Sequence, residues 1–309
     1  MKYSVDESVS EFLDYCKYEL NLDHKSLKAY TIDLKQFKKH IALTDTDTIN
    51  AIDKHILRKY VHHLNLEFKP RTIKRKIAVT KALFSHLELN DLIETNPFRK
   101  MKIHVKMGKI LPKTINPSDL KLFFKHIYNK KHTLNRNEKV SIRNIAIIEL
   151  LFSTGIRISE LTGLNNEDVR IDKKEIAIWG KGHKERIISL CNASVLNALK
   201  NHIRQRKTLP LESPFFLNRT NNRLSPQSIR LMIKQHCENI KIPHTTPHMF
   251  RHTVATMLLE NNMDIRYIQT FLGHHSIKTT EIYTHVSPFA QKKELLKKHP
   301  RKLFQLNEG

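Results

Sequence analysis

Apolar residues recur at helical spacing along most of this 309-residue chain. Near the N-terminus they form four amphipathic stretches, at about 7–20, 26–41, 53–66 and 70–89. Glycine occurs seven times in the whole chain, which disfavours folds built on Gly-rich turns. The pattern therefore predicts a mainly helical protein whose first unit is a four-helix bundle, with Ser26 as the N-cap of the second helix.

The second half of the chain keeps the helical pattern around one short sheet. An apolar helix is predicted over 141–153, with Gly155 as its left-handed cap. Residues 175–179 and 185–190 alternate as two strands joined by a basic tip, Gly180 to Lys184. Further helices are predicted at about 194–207, 226–240, 247–261 and 264–272. This half is therefore a mixed α/β domain, mostly helical with a small antiparallel β-sheet.

Residues 97–115 break the helical rhythm and are basic. We interpret 104–114 as a linker, and Asn116 followed by proline marks the start of the next helix. The predicted organisation is an N-terminal helical domain over 1–103, a second domain over 115–287 and a tail over 288–309.

The charge points to a polyanionic partner. Lys and Arg number 54 against 30 Asp and Glu, a net charge of +24, and such an excess attracts nucleic acid. A Lys-rich proteome is the plainer explanation, and an anionic membrane is the weaker one. The start of the fourth helix is the most basic segment, and its cations are predicted to lie opposite Ile73 and Ile77. This surface is either a DNA-binding face or a solvated charged face. Its cations are Lys69, Arg71, Lys74, Arg75, Lys76 and Lys81.

The cysteines indicate a reducing, cytoplasmic setting, because Cys16, Cys191 and Cys237 are an odd set without paired spacing. No CxxC or CxxH pattern occurs, so we expect no metal, and nothing in the sequence calls for another cofactor. The N-terminus does not have the pattern of a signal peptide, and no run of 18 apolar residues predicts membrane insertion.

Two arginines, a histidine and a glutamate stand where a phosphate could be held. Arg157 follows a helix-ending glycine, and Glu160 lies three residues on, within reach to orient it. His248 and Arg251 share one helix face at i, i+3, which places a proton carrier beside a fixed cation. Taken alone, Arg157 is better explained as a surface arginine, and the second pair is as well explained by a capping histidine with a surface arginine.

Three further residues complete the candidate site. Lys181 stands between two glycines at the hairpin tip, where it can reach a phosphate or a leaving oxygen. His274 follows a helix-ending glycine, and Tyr283 lies on the last turn of a short predicted helix. A phenol with a pKa of about 10 needs nearby cations to act as a nucleophile. A turn that tolerates lysine and a half-buried tyrosine are the plainer alternatives.

In this order, the six residues Arg157, Lys181, His248, Arg251, His274 and Tyr283 resemble the signature of the tyrosine recombinases. The phrases TGIRISEL, GKGHKER, TPHMFRHTVAT and LGHHSIKTTEIYTHV are similar to the Xer-type branch of that family. The resemblance covers nearly the whole chain and shows no departure at these positions. It implies a SAM-like core-binding bundle and a catalytic domain that form a C-shaped DNA clamp.

The resemblance also implies the roles of the residues. Tyr283 attacks the scissile phosphorus, Arg157 and Arg251 hold the non-bridging oxygens, and Lys181 protonates the leaving 5′-oxygen.

For the remaining residues, the implied roles are proton acceptor for His248, hydrogen-bond donor to the phosphate for His274, and support of the site for Glu160. The implied chemistry requires neither a metal nor ATP.

The implied function is DNA strand exchange through a 3′-phosphotyrosine and a Holliday junction, which resolves chromosome or plasmid dimers at chromosome partition and cell division. The implied partners are double-stranded DNA with inverted half-sites, a homo- or hetero-tetramer with a related recombinase, and a DNA translocase of the division machinery. The tail would dock into a neighbouring protomer, or else be a frayed basic terminus. A minimal transposon or phage integrase, a non-catalytic DNA-binding protein and a type IB topoisomerase are the alternatives.

Overall fold

The computed structural model describes residues 3–44, 46–106, 113–129, 138–179, 185–206, 210–261, 263–273, 292 and 295–301. The chain divides into two compact units, Met1–Ile110 and Leu111–Gly309. Each unit has its own hydrophobic core. No helix within the described ranges is both long and apolar enough to cross a membrane.

The first unit contains the predicted four-helix bundle. Its helices are α1 (Val5–Tyr18), α2 (His24–Ala42), α3 (Lys54–Glu67) and α4 (Pro70–Leu89). Short 3-10 helices cover Ile49–Ala51 and Pro97–Lys100. Aromatic side chains from all four helices fill the core, namely Phe12, Phe37, Tyr60 and Phe84.

The prediction that Ser26 caps α2 is wrong. Asp23 is the N-cap, and its carboxylate accepts hydrogen bonds from the backbone N–H groups of Lys25 and Ser26, at 3.1 and 3.0 Å. Ser26 lies within the first turn and donates its hydroxyl to the same carboxylate at 3.0 Å. An aspartate one turn earlier satisfies two helix-end donors at once, so the helix begins there.

The second unit combines helices with a small antiparallel sheet, as predicted, and both contribute to one hydrophobic core. The sheet has the order β1 (Val169–Arg170), β2 (Glu175–Trp179), β3 (Glu185–Ser189). Its helices within the described ranges are α5 (Pro117–Tyr128), α6 (Glu138–Thr154), α7 (Ile158–Gly163), α8 (Ala193–Arg204), α9 (Pro226–Asn239), α10 (Pro247–Glu260) and α11 (Ile265–Leu272).

Two left-handed glycines end the helices that lead to the candidate site. Gly155, at φ +59°, follows α6, as the sequence predicts, and Gly273, at φ +66°, is the C-cap of α11. A Cβ atom at Gly155 would lie 2.5 Å from the Leu272 Cδ2 atom. The two turns therefore lie against each other, and both require glycine.

The C-terminal segment 295–301 packs on the core of the second unit. Leu295 is buried there, and the Arg301 Nη2 group donates to the Glu149 carboxylate of α6 at 2.8 Å. Tyr128 donates its hydroxyl to the same carboxylate at 2.7 Å. Glu149 and Arg301 are both buried, at 0% and 2% exposure, so this ion pair anchors the segment. The rest of the predicted tail, apart from residue 292, lies outside the described residues.

Candidate active site

Arg157 occupies the N-cap position of α7, directly after the turn that ends α6. Its Nη1 group donates to Glu160 Oε1 at 2.7 Å, and its backbone N–H donates to Glu160 Oε2 at 2.9 Å. Its Nη2 group donates to the backbone carbonyl of Gly273 at 2.5 Å. The predicted contact between Arg157 and Glu160 is confirmed.

Sequence reasoning missed a third arginine at this point, Arg186 on β3. Its guanidinium forms a two-point contact with Glu160, Nη1 to Oε1 at 2.9 Å and Nη2 to Oε2 at 2.7 Å. Arg186 shares one face of β3 with the buried Ile188, and an arginine on a core-facing strand position is the signal that could have found it. Burial acts to raise the pKa of Glu160, but the hydrogen bonds from Arg186 and Arg157 outweigh it and hold that pKa low.

Arg251 reaches the site from α10 and is almost fully buried. Its Nη1 group donates to the carbonyl of Gly155 and its Nη2 group to the carbonyl of Leu272, both at 2.6 Å. Burial, assisted by the positive charge of Arg157, lowers the pKa of Arg251 to about 10. The side chain thus remains a cation at neutral pH, and it is held by two helix-end carbonyls.

His248 lies in the first turn of α10, which begins after Thr246. Its side chain is exposed, one turn before Arg251. His252 follows on the same helix, where burial, together with the charges of His248 and Arg251, lowers its pKa. The predicted i, i+3 arrangement of His248 and Arg251 on one helix is confirmed.

Lys181, His274 and Tyr283 lie outside the described residues. Their neighbours in the chain are described. Trp179 ends β2 and Glu185 begins β3, and these residues pair across the antiparallel ladder on either side of the predicted hairpin tip. Gly273, whose carbonyl Arg157 contacts, is the residue before His274.

The described part of the site carries surplus positive charge, from three arginines against one carboxylate. The guanidinium groups of Arg157 and Arg251 each donate two described hydrogen bonds to protein atoms. A guanidinium has five N–H groups, so donors remain for an anion. A pair of this kind can bind two oxygens of one anion. Within the described ranges, no cluster of His, Cys, Asp or Glu could hold a metal ion.

The basic segment of the first unit is largely exposed, as predicted. Lys69, the N-cap of α4, is exposed, and so are Arg71 and Lys74 in its first turns. Arg75 is 46% exposed and pairs with Asp33 on α2.

The prediction that Lys76 belongs to this exposed face is wrong. Lys76 is 2% exposed and its ammonium lies 2.9 Å from Asp33 and 4.7 Å from the Phe68 ring centroid. It stands three residues after Ile73, so the helix period carries it to the apolar side of α4. Lys81 is half-buried, with its ammonium 5.7 Å from the Phe98 ring centroid.

Two family profiles match the chain. The phage integrase family profile matches residues 115–289. The profile for the N-terminal SAM-like domain of phage integrases matches residues 9–90.

Full-length relatives agree with these matches. A tyrosine recombinase of Agathobacter rectalis is 45% identical, over 96% of this chain and 97% of its own length. XerC of Pelobacter propionicus is 32% identical over 96% of each chain. XerD of Halalkalibacterium halodurans is 31% identical, over 96% of this chain and 99% of its own length.

Solved structures share the fold. XerH site-specific recombinase bound to its difH substrate superposes with a TM-score of 0.67 at 21% identity, covering 94% of this chain and 84% of that one. The Tn1549 transposon integrase in complex with circular intermediate DNA superposes with a TM-score of 0.65 at 21% identity, covering 94% of this chain and 99% of that one.

The match to the family profile and the full-length relatives show that the chain belongs to the phage integrase family. Within it, the chain is an Xer-like tyrosine site-specific recombinase, a DNA strand-exchange enzyme.

Proposed function

We propose that this enzyme cleaves DNA by forming a 3′-phosphotyrosine at Tyr283 and exchanges strands through a Holliday junction. The observation that carries the proposal is the convergence of Arg157 and Arg251 on one turn. They donate to the carbonyls of Gly273 and Leu272, respectively. Two cations are thereby fixed beside the segment that leads to His274 and Tyr283 in the sequence.

The chemistry suits the residue types. The Tyr283 oxygen attacks the scissile phosphorus, a bond to phosphorus forms, and the bond to the 5′-oxygen breaks. Lys181 gives a proton to that leaving oxygen. Arg157 and Arg251 stabilise the charge on the non-bridging oxygens, and loss of one such donor typically costs about 10²–10³ in rate.

The other site residues serve this step. His248, exposed on the first turn of α10, accepts the tyrosine proton, and His274 donates a hydrogen bond to the phosphate. Glu160 holds Arg157 in place. The phosphotyrosine keeps a phosphodiester-like bond, so the 5′-hydroxyl of a partner strand can attack it and restore DNA without a metal or ATP.

DNA binding by the first unit is assigned to the exposed cations of α4. Lys69, Arg71 and Lys74 are free to lie along phosphates, and Arg75 is partly so because it also pairs with Asp33. Lys81 has its ammonium over a ring and is a weaker candidate. Binding of this kind depends on salt, because neutralised phosphates release counterions.

The proposed cellular role is resolution of chromosome or plasmid dimers in the cytoplasm. The names XerC and XerD of two full-length relatives support it. In this role a tetramer, of this chain alone or with a related recombinase, assembles on inverted half-sites, and a division-associated DNA translocase is a further partner. The domain bounds 1–103 and 115–287 belong to this proposal, and so does the docking of the tail 288–309 into a neighbouring protomer. For that docking, the segment 295–301 has to leave the core of its own second unit, where Leu295 and Arg301 are buried.

A mobile-element integrase is the second candidate, because the Tn1549 transposon integrase shares the fold at a TM-score of 0.65. The two roles predict different targets. A dimer-resolving enzyme forms adducts at one chromosomal or plasmid locus with inverted half-sites, whereas an integrase forms them at the ends of a mobile element.

One experiment tests activity and target together. Purified protein is incubated with sheared genomic DNA of the source organism and denatured, and the DNA that stays covalently bound to protein is sequenced. Wild-type protein is expected to retain discrete sites with the protein on the 3′-phosphate, and Tyr283→Phe to retain none. Arg157→Gln should reduce the yield about 10²–10³-fold.

The controls separate chemistry from binding. Arg170→Gln removes a half-buried arginine whose contact with Glu185 spans 3.7 Å, and it should leave the yield unchanged. Salt-sensitive binding without any adduct in wild type would instead identify a non-catalytic DNA-binding protein. Adducts spread without site preference would identify a topoisomerase.

A further inference from the structure

Arg186 and Glu160 form a hydrogen-bonded pair that holds Arg157 in place. Each oxygen of the Glu160 carboxylate accepts two hydrogen bonds, Oε1 from the side chains of Arg157 and Arg186, and Oε2 from Arg186 and the backbone N–H of Arg157. The side chains are 7% exposed for Glu160 and 18% for Arg186. The carboxylate is therefore fully hydrogen-bonded and cannot rotate without breaking several bonds at once.

The charge balance gives Arg186 a second effect. A glutamate paired with Arg157 alone would neutralise it, and a DNA phosphate would have to compete with that carboxylate for the guanidinium. Arg186 shares the carboxylate, so the trio of Arg157, Arg186 and Glu160 keeps one net positive charge. That charge remains available to an anion at Arg157.

Arg186 also lies beneath the turn that Arg157 contacts. A Cβ atom built at Gly273 would lie 2.9 Å from the Cζ and Nη1 atoms of Arg186, so the backbone of this turn rests on the guanidinium. The same turn offers its Gly273 carbonyl to Arg157. Arg186 thus contacts both groups that hold Arg157: the Glu160 carboxylate and the backbone at Gly273, whose carbonyl accepts a hydrogen bond from Arg157.

We propose that Arg186 is a positioning residue for strand cleavage, which acts through Glu160 to present Arg157, with its positive charge free, to the scissile phosphate. The proposal rests on the recombinase function proposed above. The two-point geometry explains why arginine stands here. A lysine would keep the charge but could not hold both carboxylate oxygens in one plane.

The test uses the full-length chain and a nicked duplex that carries a site recovered from the genomic adducts. The nick lets the 5′-hydroxyl fragment diffuse away, so the covalent complex accumulates. Two quantities are measured for each variant: the affinity for the intact duplex, and the single-turnover rate of adduct formation at saturating protein. Arg186→Gln is expected to lower the rate about 10–100-fold, a typical effect of losing a supporting partner. The affinity should change much less than the rate, because many other phosphate contacts hold the duplex.

Two further variants separate positioning from folding. Arg186→Lys should recover part of the rate, because it restores the charge without the fork. In a Glu160→Gln background, the loss caused by Arg186→Gln should shrink, because no carboxylate is left to compete for Arg157. Arg170→Gln, on strand β1 of the same sheet, is the matched control and should cleave at the wild-type rate.

The outcomes are distinct. A wild-type rate for Arg186→Gln, or an equal loss of rate in the Glu160→Gln background, would overturn the role of Arg186 while leaving the recombinase function intact. A parallel loss of affinity and rate would show that Arg186 serves folding or binding instead. If wild-type protein forms no adduct, the proposed function itself fails.

Discussion

The ion pair between Arg301 and Glu149 gives the sharpest prediction about stability. Arg301 donates from Nε to both carboxylate oxygens, at 3.2 and 3.1 Å, and from Nη2 at 2.8 Å. Its guanidinium lies 4.7 Å from the Phe124 ring centroid. In Arg301→Met, the buried carboxylate keeps the Tyr128 hydroxyl as a partner but loses its counter-charge.

The expected loss follows from that burial. Removing one member of a buried pair typically costs about 3–5 kcal/mol. For a unit of about 200 residues, each kcal/mol lowers the Tm by about 2–4 °C, so a loss of about 6–20 °C is expected. Differential scanning calorimetry of the full chain measures it in the transition of the second unit.

Two comparisons make the result interpretable. Glu149→Gln introduced into Arg301→Met removes the uncompensated charge, and it should recover most of the loss because the amide oxygen can still accept from Tyr128. Arg170→Met breaks a partly exposed contact and should lower the Tm by no more than about 2–4 °C, because ion pairs in contact with solvent contribute about 0–1 kcal/mol. If Arg301→Met lowers the Tm no more than Arg170→Met does, the segment 295–301 is not held by this buried ion pair.

Three further predictions concern the site and the bundle. Gly155→Ala places a methyl group against Leu272 at a φ of +59°, and the left-handed backbone alone should lower the free energy of unfolding by about 1–2 kcal/mol, as measured in urea titrations. It should also lower the single-turnover rate of adduct formation, because it shifts the Gly155 carbonyl that holds Arg251. The pKa of Glu160 in the folded protein is held below the ordinary value of 4.5. The ionised carboxylate therefore stabilises the fold above pH 4.5, and this stabilisation is lost as the pH falls through the lower pKa of the folded state. The Tm of Glu160→Gln should accordingly fall less steeply below pH 4.5 than the Tm of the wild type. Lys76→Ala should destabilise the first unit by about 3 kcal/mol in urea titrations, because the buried Asp33 loses one of its partners. Lys74→Ala, at an exposed position, should change stability by less than about 0.5 kcal/mol and should weaken DNA binding in a salt-dependent manner.

The sequence predicts long elements well and short ones poorly. The helices α1 to α4 and the pair β2 and β3 follow from periodicity, because their apolar positions repeat several times. The strand β1 has two residues and α7 has six, so neither repeats a pattern long enough to detect. At Lys76 the residue type was misleading: the helix period places it on the apolar side of α4, and there it pairs with a buried aspartate of another helix, a partner that the local sequence does not reveal.

The candidate site shows the same division. The order and spacing of Arg157, Glu160, His248 and Arg251 identified the residues, and the confirmed contact between Arg157 and Glu160 is local, three positions apart. Arg186 comes from a strand 26 positions beyond Glu160. A contact of that separation depends on how the sheet packs on α7, which no local pattern encodes.

The central claim is that Tyr283 becomes covalently joined to DNA. The most direct measurement is peptide mass spectrometry of the adduct after digestion with nuclease and protease. We expect a nucleotide attached through its 3′-phosphate to the peptide that contains Tyr283. Attachment to a different residue, or through a 5′-phosphate, would contradict it.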